Sequence, residues 1–135
     1  MPFPRPALRL RLLAPLLAAA LAGCAEMTMF QQNRGQPQLD AGIRQYEDGN
    51  YKEATKSLQG ALDAGLADDE NRILARKHLA FIHCAAGRKE PCREEFRRIL
   101  AIEPRFDLKP AEAGHPAWGP VFRAVRAEVG APPKR

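Results

Sequence analysis

Long apolar runs are almost missing from this 135-residue chain. Only Leu12 to Leu21 qualifies, and ten residues of Leu, Ala and one Pro are too few to span a bilayer as a mature helix. Catalytic signatures are missing as well. There is no phosphate-cradling glycine loop and no G-x-S-x-G, which removes the best-marked nucleotide-binding and hydrolase classes. His78 and His83 stand five apart, too far round a helix to share one zinc readily. Asp68, Asp69 and Glu70 lack the alternating oxygen ligands and glycine turn of a calcium loop, and read instead as acids at a helix start. Glu47-Asp48 and Glu94-Glu95 are adjacent on helices, so each pair diverges. No basic run is interleaved with aromatics, as single-strand nucleic-acid binding requires. The expectations are no enzyme, no nucleic acid, no metal and no small-molecule substrate.

What the chain does have is a repeat. Leu79 to Pro104 reads as two helices around a short turn. Leu79, Ala80, Ile82 and His83 form a mostly apolar stripe on the first. Cys92, Phe96, Ile99 and Leu100 recur on the second at offsets of three and four, which puts them on one face. Gly87 marks the end of the first helix, because glycine adopts a left-handed cap without penalty. Pro91 can open the second and Pro104 ends it. Upstream, Gly42, Gly49, Ala54 and Ala61 stand 38 residues before Ala80, Gly87, Cys92 and Ile99. A period of that size means stacked helical hairpins, with small residues where helices approach and Tyr51, Leu58 and Phe96 filling the remaining space. Asp40 and Asn50 are candidate N-caps, the latter with Glu53 at capping-box spacing.

The N-terminus reads as an address. Arg5, Arg9 and Arg11 precede the apolar run, and Leu21-Ala22-Gly23-Cys24 resembles a bacterial lipobox with cleavage before Cys24. The alternatives are a secretory signal cut elsewhere or an uncleaved N-terminal helix. With cleavage at the lipobox, Cys24 would carry covalent lipid, the only non-protein group expected, and several acyl chains give stable anchoring. Three of the 21 Lys and Arg lie in residues 1–23 and none of the 16 acids does, so the remainder is near +2 rather than +5. A basic isoelectric point is therefore no nucleic-acid footprint. Residues 25–38 carry Gln, Asn, Gly and Pro without periodicity and read as a tether with a reach of about 20 Å.

Beyond Pro104 the texture changes. Pro110, Pro116 and Pro120 keep residues 105–119 mostly extended or turning. Val121, Phe122, Val125 and Val129 then make an apolar face on a final helix ending at Gly130, read as a cap over the second hairpin. Phe106 and Trp118 are expected to pin the intervening segment, and His115 to make a structural hydrogen bond. Cys84 and Cys92 face each other across a tight turn, a spacing compatible with a disulfide in an exported protein. Two reduced, buried cysteines acting as small hydrophobes are the alternative.

The pattern resembles the tetratricopeptide repeat, carried by Gly42, Tyr46, Gly49, Tyr51, Ala54, Leu58, Ala61 and Leu62, then Leu79, Ala80, Gly87, Phe96, Leu100 and Pro104. Departures are Leu66 at the usual proline position, a spacing above 34, and bulky Ile99 where a small residue is usual. The resemblance implies an all-α fold of two hairpins plus a C-terminal capping helix. The expected layout is a signal peptide at 1–23, a lipidated tether at 24–37 and a helical domain at 38–130. Within it lie repeats at about 38–66 and 73–104 and a capping segment at 105–130; a disordered tail at 131–135 follows. The resemblance also implies a shallow partner-binding groove lined by Leu39, Ile43 and Tyr46 from the first hairpin and Lys77 and Phe81 from the second, with Tyr46 and Phe81 partly exposed. Filling of that groove by the C-terminal segment or tether is the competing expectation. Lipobox and repeat together, with the stretch from Leu74 to Phe122, resemble small lipoproteins of bacterial type VI secretion, the TssQ family. That implies an outer-membrane, periplasm-facing scaffold for a protein partner of the secretion machine; Ala25 after Cys24, rather than aspartate, agrees with outer-membrane sorting. The rival readings are a general envelope or cell-wall-associated lipoprotein, and a hydrolase using His83, Cys84 or His115.

Overall fold

A computed structural model of the chain describes residues 33–130. The expected signal peptide, Cys24, most of the expected tether and the expected tail at 131–135 lie outside the described residues. Within them every regular element is a helix: α1 Gln36–Glu47, α2 Tyr51–Ala64, α3 Asp69–Ala85, α4 Lys89–Ile102, the single turn α5 Pro110–Ala113, and α6 Gly119–Val129. The fold is all-α. The helices α1 and α2 form one antiparallel hairpin and α3 and α4 another, and the two stack through α2 and α3.

The 38-residue register extends to individual backbone bonds. The amide of Asn50 donates to the Gln45 carbonyl (2.8 Å), and that of Gly49 to Tyr46 (3.0 Å). In the second hairpin Arg88 donates to His83 (2.9 Å) and Gly87 to Cys84 (3.0 Å). Each pair is a Schellman motif, which satisfies carbonyls that the helix end would leave orphaned. It requires a left-handed residue, and Gly49 and Gly87 supply φ of 78° and 73°. The turns therefore close through backbone alone, and Asn50 makes no side-chain cap to α2. Asp68 does cap: its carboxylate accepts from the Asn71 amide at 2.7 Å.

Close approach in the first hairpin depends on Gly42. A Cβ there would lie 2.7 Å from Leu58 Cγ and 3.1 Å from the Leu58 amide nitrogen. Leu58 and its counterpart Phe96 are both fully buried, each at the centre of its hairpin. The first core joins Leu39, Leu58, Ala61, Ala75, Leu79 and Ile82 across α1, α2 and α3. The second joins Phe81, Phe96, Ile99, Leu108, Phe122 and Val125 across α3, α4 and α6.

Several boundaries differ from expectation. The first helix starts at Gln36, not at Asp40, so the expected tether overlaps it. The cause is tertiary: the Gly35 amide donates to the Gly65 carbonyl at 2.8 Å and clamps the start of α1 to the end of α2. By contrast α3 begins at Asp69 with Asp68 as its N-cap, at the helix start read from Asp68, Asp69 and Glu70. The C-terminal helix lies against α4 as a cap. It buries Phe122 and Val125 while Val129, expected on the apolar face, is 47% exposed. Phe122 meets Phe96 and Phe106 edge-on at 5.1 and 5.9 Å. Arg126 covers its ring at 4.6 Å and pairs with Asp107 at 2.9 Å.

Candidate docking surface

The residues expected to line a groove divide into three fates. Leu39 is fully buried in the first core, because α1 packs on α2 and α3 through it. Ile43 and Tyr46 are half-buried at the edge of that core. Tyr46 touches the His78 ring edge-on at 4.8 Å and Tyr51 at 5.6 Å. Burial pushes its hydroxyl pKa up, aided by the Tyr51 and Glu112 charges. Lys77 and Phe81 are covered by residues 105–119.

That cover corrects the expectation of a partly exposed Phe81, which is only 4% exposed. Trp118 stacks on its ring at 4.2 Å with 17° between the planes, and Phe96 closes it from below at 6.5 Å. Trp118 is itself fixed from both sides. Its indole N–H donates to the Glu112 carbonyl at 2.9 Å, and His115 stacks on its far face at 3.4 Å. His115 also accepts from the Ala117 amide at 3.1 Å. Gly119 permits the reversal that brings α6 back, since a Cβ there would lie 2.3 Å from the Ala113 carbonyl oxygen.

The polar half of the cover is an ion pair. Lys77 Nζ lies 2.7 Å from Glu112 Oε1, with little of either side chain exposed. The other carboxylate oxygen accepts from the Lys109 amide at 3.0 Å and starts α5. Burial alone would raise the Glu112 pKa. The hydrogen bonds from Lys77 and Lys109, with their charges, outweigh it and hold the carboxyl below its usual range. Desolvation acts unopposed enough on His78 to lower its pKa, although Nδ1 bonds the Leu74 carbonyl at 2.8 Å. The inner face of the second hairpin is thus occupied by the chain's own C-terminal segment.

The polar groups named for a hydrolase do not converge. His83 accepts from Arg88 Nε at 3.1 Å, and burial with the Arg88 charge lowers its pKa. Cys84 and Cys92 lie at disulfide distance with their Cα atoms 5.2 Å apart. His115 is stacked on Trp118 and accepts from the Ala117 amide, with no hydrogen bond to His83 or Cys84.

An open cleft of about 480 Å³ lies elsewhere, between the start of α2 and the end of α3. Tyr51, Lys52, Thr55 and Lys56 form one wall, Ile82 and Ala85 the floor, and Arg88 closes the end. Tyr51, expected to fill space inside the first hairpin, is instead 51% exposed. The sequence offered one signal for this surface: Tyr51, Lys52, Thr55 and Lys56 stand at offsets of one, three and four, which places two lysines beside an aromatic ring on one side of the first turns of α2. No described helix is long and apolar enough to cross a membrane. No protein-family model, curated protein or solved structure matches the chain.

Proposed function

We propose that this chain is a lipid-anchored, periplasmic adaptor of tetratricopeptide type, held through Cys24 at the outer membrane and binding a protein partner without catalysis. The partner class that the sequence resemblance favours is a component of a type VI secretion machine. One observation carries the adaptor reading: two hairpins in a 38-residue register matched bond for bond at their turns. Stacked hairpins of this kind expose extended helix faces, and their usual use is protein recognition. The lipid reading rests on Leu21-Ala22-Gly23-Cys24 and the preceding arginines.

Palmitate labelling and membrane fractionation of wild type and Cys24→Ala test the anchor. The expected outcome is label in the outer-membrane fraction, lost in the variant. Label persisting in the variant, or wild type in the inner membrane, would refute it. Crosslinking in cells followed by co-purification tests the adaptor, and an unaltered secretion output in a deletion strain would rule out an assembly role.

A further inference from the structure

We infer that the cleft between α2 and α3 docks an acidic, partly apolar peptide segment of the partner. The inference rests on the adaptor reading and names the chemistry of what is bound.

Charge complementarity carries it. Lys52, Lys56 and Arg88 rim the cleft, and no carboxylate lines it among the described residues. Lys56 is offset by Glu53 at 3.1 Å, outside the lining. Arg88 is steadied through Nε by the His83 ring, which leaves both Nη nitrogens for the end-on grip of a carboxylate. The position of Lys52 works against its own helix, whereas Arg88 stands between the end of α3 and the start of α4. Lys52 is the second residue of α2, and Arg88 is the N-cap of α4. Helix starts carry partial positive charge and favour acids, so a lysine there weakens its own helix. Beneath this rim, the exposed Tyr51 ring and the exposed Ala85 and Ala86 methyl groups, with buried Ile82 behind them, favour apolar side chains from the same ligand. A free inorganic anion would leave those apolar groups in water. An acidic segment with apolar residues satisfies rim and floor together.

The test places p-benzoylphenylalanine at Thr55, on the cleft wall, or at Ile43, on the edge of the other inner face, in the full chain within its own cells. Irradiation followed by mass spectrometry identifies the attached segment. The expected result is a Thr55 adduct to an acidic segment with apolar residues, reduced by at least about tenfold in Lys52→Glu with Arg88→Glu. Both substituted positions are exposed, and Lys52→Gln with Arg88→Gln supplies a milder second pair. Four outcomes overturn the inference: an adduct to a basic or wholly polar segment, to lipid, or to a second copy of this chain, or a yield unchanged by both pairs. An adduct at Ile43 alone moves the partner to another face and leaves the adaptor reading standing. No protein adduct at either position removes both.

Discussion

Replacing Phe81 by alanine is expected to destabilise the whole domain by about 3–5 kcal/mol, the range for deleting a buried aromatic side chain. Three contacts disappear together. The Trp118 stack at 4.2 Å is worth about 0.5–1.5 kcal/mol beyond its area. The edge contact to Phe96 and the Lys77 ammonium 5.8 Å above the ring are lost with it. The remainder is transfer of a nearly sealed ring to water, plus the void left between α3 and the covering segment. Urea and thermal unfolding of the full chain in detergent, followed by far-ultraviolet circular dichroism, measure the loss. The midpoint should fall by roughly 12 °C or more for a domain of this size. Trp118 is the only tryptophan, so its emission reports the cover alone. It should shift to the red in Phe81→Ala under native conditions and remain near wild type in Phe81→Leu, which keeps most of the volume. A Phe81→Ala protein within about 1 kcal/mol of wild type, with unshifted emission, would show that residues 105–119 do not seal this face.

Two further outcomes follow from the same geometry. Cys84 and Cys92 should be recovered as one bridged tryptic peptide pair from protein alkylated before lysis, and reduction should cost about 2–3 kcal/mol for so short a loop. Alkylated thiols at both positions would refute it. Acid should destabilise the domain in two windows. His78 and His83 have folded pKa values below their ordinary 6.5, so the unfolded chain takes up those protons first and stability declines as pH falls through that value. Glu112 is held below its ordinary 4.5, so its contribution is complete above that value and is lost as pH falls through the folded pKa. Glu112→Gln should flatten the lower window only. An identical unfolding midpoint at pH 7 and pH 5 would contradict the histidine assignment, and a lower window unchanged in Glu112→Gln would contradict that of Glu112.

What the sequence made legible is what local chemistry decides. The hairpins and their turns follow from Gly49, Gly87 and the small residues Gly42 and Ala80, each needed for a backbone conformation or a close approach within one hairpin. What it hid is decided by contacts between distant segments. The start of α1 depends on a Gly35–Gly65 hydrogen bond across the hairpin, and no cap residue signals it. The burial of Phe81 depends on a proline-rich stretch with no periodicity, which docks through Trp118 and Leu108 rather than through a helical stripe. The open cleft joins cations from α2 with an arginine that begins α4. Read one at a time along the chain, those cations look like ordinary solvated charges.

Energetics separate the two surfaces a partner can use. To reach the inner face of the second hairpin, a ligand must first displace residues 105–119. Doing so returns Phe81 and Trp118 to water at about 1.5–3 kcal/mol for a side chain of this kind. It also breaks the aromatic stack and leaves Lys77 and Glu112 to be resolvated, each half of a shielded pair. A total near 4 kcal/mol reduces apparent affinity by roughly a thousandfold relative to an open groove. The α2–α3 cleft carries no such penalty, because Tyr51, Ala85, Lys52 and Arg88 are already exposed there and no segment has to leave. A partner with equal intrinsic complementarity to both faces therefore occupies the cleft. Binding at the inner face requires a ligand that replaces what Trp118 and Glu112 supply: a flat aromatic ring against Phe81 and a carboxylate for Lys77.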